Sequence, residues 1–134
     1  MGQAFSFDGV DDYVNVGAAY NGVQSVAFWM RAATSTTGQM LALNGSVNIE
    51  ITGDTVTANG FTAPAIYVDG VSASTISDTA WHHIAVTTGT ALNASAMTLG
   101  LVGATYFGGT LDDVRTYGRV LSAEEIKRLY TIGR

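Results

Sequence analysis

Cysteine is absent from this 134-residue chain, which removes disulfide frameworks, thiolate metal sites and thiol nucleophiles at once. The redox compartment stays open. Histidine is limited to the adjacent pair His82-His83. On a regular strand such neighbours point to opposite faces, so they cannot chelate one ion. A histidine-rich zinc site is excluded, and a Ser–His–Asp triad finds no support. One of the two histidines is expected to be hydrogen-bonded and partly buried.

Basic charge is also scarce. Six Lys and Arg stand against eleven Asp and Glu, a net of −5, and residues 1–110 hold one base, Arg31, against seven acids. Nucleic-acid binding needs a basic stripe to neutralise phosphates, so that partner is not expected. Long apolar runs are missing too. The opening MGQAFSFDG has neither a basic n-region nor an apolar stretch of about 7–15 residues, so neither membrane insertion nor export by a cleaved signal is expected from the chain as given. Proline occurs once, at Pro64.

What is present is alternation. Phe5 and Phe7 share a face, as do Val14 and Val16; Val26, Phe28 and Met30 alternate with Ala27, Trp29 and Arg31; Val47, Ile49 and Ile51 fall on one side. "TVTA", "AIYVDG", "WHHIAVTTG", "AMTLGLV" and "GTLDDVRTYG" complete nine candidate strands, separated by turn residues such as Asn44-Gly45, Gly53-Asp54 and Asp69-Gly70. Short strands at this spacing predict a single all-β domain over 1–134, a two-sheet antiparallel jelly-roll sandwich. One stretch departs from period two. In "LSAEEIKRLY", Ser122 and Glu125 form a capping-box pair, and Ile126, Leu129 and Tyr130 recur at helical spacing, which predicts a short C-terminal helix on the sandwich.

Four pieces, "FSFDGVDDYVNVG", "SVAFWMRA", "AWHHIAVT" and "GGTLDDVRTYGRVLSAEEIKRLY", occur in this order across nearly the whole chain. Together they resemble the laminin-G-like jelly-roll domains of the concanavalin A-like lectin/glucanase superfamily. The resemblance implies that the first and last strands are neighbours in one sheet, and that a structural calcium ion sits near their junction. It also implies recognition of a glycan or a protein surface. One departure from the commonest pattern is that "IYVDGVSAS" at 66–74 precedes "WHHIAVT" at 81–87 instead of following it.

The acids at the two ends gain meaning from that pairing. Calcium takes 6–8 hard oxygen ligands, which clustered aspartates in glycine-containing turns can supply in part. Asp8, Asp12 and Asp112 are the candidate ligands, with Asp11 and Asp113 as substitutes. The competing reading has the same acids shaping turns by Asx hydrogen bonds and pairing with Arg115. Asp113, Arg115 and Tyr117 share a strand face, so an Asp113–Arg115 pair is expected. Exposed aromatic rings can stack on sugar C–H faces. Tyr106 and Phe107 in a glycine-flanked loop, with Tyr67 and Tyr20, are the ligand-binding candidates, whereas Trp29 and Trp81 are expected in the core or between sheets. The Glu-x-Asp-x-x-Glu triplet of the glucanase relatives is absent, and Glu50, Glu124 and Glu125 are the only glutamates, so catalysis of that kind is not expected.

The resulting expectation is a non-catalytic recognition or adhesion module at a cell, extracellular or virion surface, with possible calcium. The alternatives are a virion decoration, tail or assembly protein that contacts copies of itself, and an accessory binding module of a larger secreted enzyme.

Overall fold

The computed structural model describes residues 4–18, 21–33, 38–103 and 105–133. Its strands are β1 (Phe5–Asp8), β2 (Val14–Gly17), β3 (Asn21–Ala32), β4 (Gly38–Asn44), β5 (Val47–Thr52), β6 (Thr55–Asn59) and β7 (Ala65–Val68). They continue with β8 (Val71–Ser72), β9 (His82–Asn93), β10 (Met97–Leu99), β11 (Leu101–Val102), β12 (Thr105–Tyr106) and β13 (Gly108–Tyr117), and helix α1 (Ala123–Gly133) closes the chain.

Two antiparallel sheets, ordered β1-β13-β3-β9-β7-β8 and β2-β10-β4-β5-β6, form an all-β sandwich, with β11 and β12 as a separate hairpin. The alternation read from the sequence fills its core. Phe7, Val26, Phe28, Met30, Ile84, Val86 and Leu111 come from the first sheet, and Met40, Leu43, Ile49, Ile51, Val56, Met97 and Leu99 from the second. Each such side chain contributes about 1.5–3 kcal/mol of transfer free energy when fully buried. The first and last strands are neighbours, with Phe5 opposite Leu111 and Asp8 opposite Gly108.

The outer face of the first sheet is also apolar, and α1 covers it. Ala27 and Ala85, paired across β3 and β9, pack with Leu121 and Ile126, while Tyr67, Tyr117 and Leu129 close the rim. This is why residues 26 to 30 are all buried, although a half-exposed strand would alternate. The helix starts at the expected capping box. Glu125 N–H donates to Ser122 Oγ at 3.2 Å, and Ser122 N–H donates to Glu125 Oε1 at 3.1 Å. Buried Ser25 pins the connection into it, donating to the Arg119 carbonyl at 2.7 Å and accepting from Leu121 N–H at 2.9 Å.

The sequence reading omits β4. Its run of Met40, Leu41, Ala42 and Leu43 is buried without alternation, and a strand buried on both faces carries no period-two signal. Asp69-Gly70 turns the β7–β8 hairpin as expected, with φ of 53° and 80°, the left-handed pair of a type I′ turn.

The two long edges of the sandwich differ. On one, residues after β8 run along β6: Val56 N–H donates to the Ser74 carbonyl at 2.7 Å, Ile76 N–H donates to the Asp54 carbonyl at 2.8 Å, and Ile76 is buried in the core. On the other, β1 and β2 are the last strands of their sheets and leave Phe5 and Val16 about half exposed.

Candidate functional site

The turn between β1 and β2 gathers the N-terminal acids. Asp8 Oδ1 accepts from Val10 N–H at 2.8 Å and Asp11 N–H at 3.2 Å, and Asp12 Oδ2 accepts from Asp8 N–H at 3.2 Å. Gly9, at φ 81°, allows the tight path, since a Cβ there would stand 3.3 Å from Gly108 Cα. One carboxylate oxygen from each of Asp8, Asp11 and Asp12 lies within 4.8 Å of the others. The amides of Val10 and Asp11 hold Asp8 below the usual carboxylate pKa, while the charge on Asp8 pushes Asp11 up. The Asx hydrogen bonds expected of these residues are present, and they leave oxygens facing solvent.

The expected meeting of Asp112 with this turn does not occur. Asp8 stands opposite Gly108, so Asp112 lies four positions along β13, about 13 Å away at the rise of a strand. Asp112 pairs with Trp29 instead, on the helix side of the sheet. Asp113 is a bulge residue at φ 50°, where β13 shifts register against β3, and its Oδ1 accepts from Arg115 Nε at 2.9 Å. That ion pair was expected, and it raises the Arg115 pKa. Tested against a hard cation, the donor set fits in part. Asp8, Asp11 and Asp12 offer three carboxylates at one point, and neither Asp112 nor Asp113 completes them.

Beside the acidic turn, Tyr13 and Tyr106 face each other with ring centroids 6.2 Å apart at 53°. Tyr13 is 46% exposed and directly follows Asp12; Tyr106 sits in the β11–β12 hairpin. Of the expected aromatic residues that are described, Tyr106 alone is placed at this surface. Phe107 is a correction: it is fully buried, 6.4 Å from Phe7 between ring centroids, because the link between β12 and β13 turns it into the core. Tyr67 is also corrected, since its ring is spent against the apolar patch beneath α1. Tyr20 lies outside the described residues. Tyr13 went unremarked in the sequence, where Val14 and Val16 drew the reading of its strand; its place next to two aspartates was the available signal.

The histidines divide as strand geometry demands. His82 Nδ1 lies 2.7 Å from Asp69 Oδ2, and its Nε2 lies 2.7 Å from Asp78 Oδ1. Burial disfavours its charge, yet the hydrogen bonds and attraction of the two aspartates outweigh that and raise its pKa above the usual value. His83 turns to the other face, where Trp29 meets it edge-on at 5.2 Å and Tyr130 of α1 stacks on Trp29 at 5.7 Å. Burial pushes the His83 pKa down to about 4, and its Nδ1 has no hydrogen-bond partner among the described residues. Asp78 was not singled out in the sequence, because nothing local announces that a loop acid will meet a histidine four residues on.

Two shallow grooves lie elsewhere on the surface. One, about 220 Å³, runs between the end of β13 and α1 and is floored by Tyr117, Leu121, Leu129 and Ile132, with the Arg119–Glu125 pair at its side. The other, about 210 Å³, is an apolar cleft between the sheets at the β2 edge, lined by Val16, Met97, Leu99, Val114 and Thr116. No helix among the described residues is long and apolar enough to cross a membrane. No family model matches the chain, and no curated protein matches it.

Proposed function

We propose that this chain is a non-catalytic recognition module of the laminin-G-like type that binds a glycan at the β1–β2 turn. The observation that carries the reading is the tyrosine pair, Tyr13 against Tyr106 at 6.2 Å, directly beside the clustered carboxylates of Asp8, Asp11 and Asp12. Aromatic rings at a surface take up sugar C–H faces, and carboxylates accept hydrogen bonds from sugar hydroxyls, so the two kinds of group that a glycan needs adjoin here. The same three aspartates would hold a calcium ion, which supplies a positive centre and neutralises the repulsion that raises the Asp11 pKa.

A glycan array probed with and without calcium tests this. Retention of specific glycans by the native chain, lost in Tyr13→Ala and in Tyr106→Ala with melting temperature preserved, is the expected result. Silence of the native chain in both conditions overturns it.

A second reading, an assembly or virion-surface subunit, is favoured by the apolar edge. Phe5 and Val16 are about half exposed on terminal strands, and Val16 also lines the cleft between the sheets. Light scattering that finds a stable oligomer, together with a silent array, supports this reading over the first.

A further inference from the structure

The pair of contacts at His82 has a consequence that its protonation chemistry dictates. A neutral imidazole carries one N–H and one lone pair, so it can donate to one carboxylate and not to two. Both ring nitrogens of His82 stand 2.7 Å from carboxylate oxygens, Asp69 Oδ2 on one side and Asp78 Oδ1 on the other. Only the imidazolium satisfies both.

The two acids belong to segments with structural duties. Asp69 starts the β7–β8 turn, and its other oxygen, Oδ1, accepts from His83 N–H at 2.9 Å. The following Gly70 abuts α1, where an added Cβ would meet Tyr130 at 3.2 Å and the Lys127 backbone at 3.4 Å. Asp78 ends the stretch that lies along β6 and inserts Ile76 into the core, and its Oδ1 also accepts from Ala80 N–H at 2.9 Å. His82 thus ties the closing stretch of one sandwich edge to the turn that supports the helix. From β3, Met30 stands opposite His82 and brings no charge. The helix brings Lys127 against Gly70, so the charged groups around the histidine are Asp69, Asp78 and, behind the turn, Lys127.

We propose that His82 is a proton-operated latch. When protonated it holds residues 73–80 against the β6 edge, and on losing its proton it releases Asp78, so that this stretch opens while the rest of the sandwich stays folded. Release falls on the Asp78 arm because that side chain is 63% exposed and reaches solvent readily, whereas Asp69 is 30% exposed and keeps its bond to His83 N–H. The sign follows from linkage. The closed form binds the proton more tightly than the open form, so opening is least at low pH. It rises with pH over the interval between the histidine pKa of the open form and the raised value of the closed form, by at most about tenfold per pH unit, and it levels off above that interval. The inference stands apart from glycan binding, which lies at the opposite edge.

Hydrogen exchange on the full chain tests the proposal amide by amide. Corrected for intrinsic exchange rates, protection at the Val56, Ile76 and Ala80 amides is expected to fall as pH rises through the His82 titration, by at most about tenfold per pH unit, and then to level off, while Ile84 and Val26 in the central strands do not change. In His82→Gln the same amides are expected to be weakly protected at every pH. Should that variant fail to fold, nitrogen NMR of the native chain reads the latch directly, with both His82 ring nitrogens staying protonated to a higher pH than in an ordinary histidine. Flat protection across the titration, a fall of equal size in His82→Gln, or a His82 ring that loses its proton at or below the ordinary histidine pH overturns the proposal.

Discussion

His83 shows how much one residue's surroundings decide. It neighbours His82 in sequence but is buried between Trp29 and Tyr130, where a charge would be desolvated, and its pKa falls to about 4 from 6.5. A depressed folded pKa means that the unfolded chain takes up the proton first. The stability from a neutral His83 is therefore complete above about 6.5 and is lost as pH falls toward about 4. Urea midpoints measured at about pH 5 and about pH 7 should differ in the native chain by more than in His83→Leu, which has no proton to take up. Ser25 carries a second prediction at this scale. Its hydroxyl is the partner of both Leu121 N–H and the Arg119 carbonyl. Ser25→Ala leaves these groups unpaired in a buried site and should cost about 1–3 kcal/mol in urea unfolding.

At the scale of elements, α1 is held by its cap and by its apolar stripe, and the two can be separated. Ser122→Ala removes the hydroxyl that receives Glu125 N–H and should cost about 1 kcal/mol. Ile126→Ala empties a fully buried position between Ala27, Ala85 and Leu121 and should cost about 2–5 kcal/mol. Circular dichroism melts of both variants check the order, Ile126→Ala below Ser122→Ala below native. Glu125 joins both roles: Arg119 Nη1 donates to its Oε1 at 2.7 Å, and that hydrogen bond, with Ser122 N–H, holds its pKa down to about 2. The Arg119–Glu125 pair therefore joins the helix start to the residues just after the last strand.

Across the whole molecule, the two edges of the sandwich have separate designs. The β6–β8 edge is sealed by residues 73–78 and by His82, whereas the β1–β2 edge carries exposed apolar side chains, the tyrosine pair and the acidic turn. A cation held by that turn would favour the folded state, in which the path of the turn is fixed with Gly9 close against Gly108. On that proposal the native chain should melt at a higher temperature in millimolar calcium than in EDTA, by the free energy RT ln(1 + [L]/Kd), and the difference should vanish in Asp8→Asn with Asp12→Asn. An Asp112→Asn variant should keep the full calcium effect, since Asp112 stands about 13 Å along the strand.

Much of the fold was legible in order of residues alone. Alternation marked the faces of β3, β5 and β9, glycine and asparagine marked the turns, and Ser122 with Glu125 marked the helix start, because each of these signals is local and is set by backbone geometry. The run of β4 gave no alternation to read, since it is buried on both faces, and the burial of both faces of β3 was hidden because its second face is covered by chain that is remote in sequence. The site was less legible for the same reason. The acids of "FDGVDD" and "LDDV" looked like partners, but the register of β1 on β13 separates Asp8 from Asp112, and register depends on every contact in the sheet. Phe107 read as a loop aromatic until the core claimed it, and His82 read as half of a dipeptide until the β7–β8 turn and the loop just before β9 brought carboxylates to both its nitrogens. Local geometry and hydrophobic pattern belong to the sequence; which charges meet, and which rings stay at the surface, depends on long-range pairing that only the packed sheets decide.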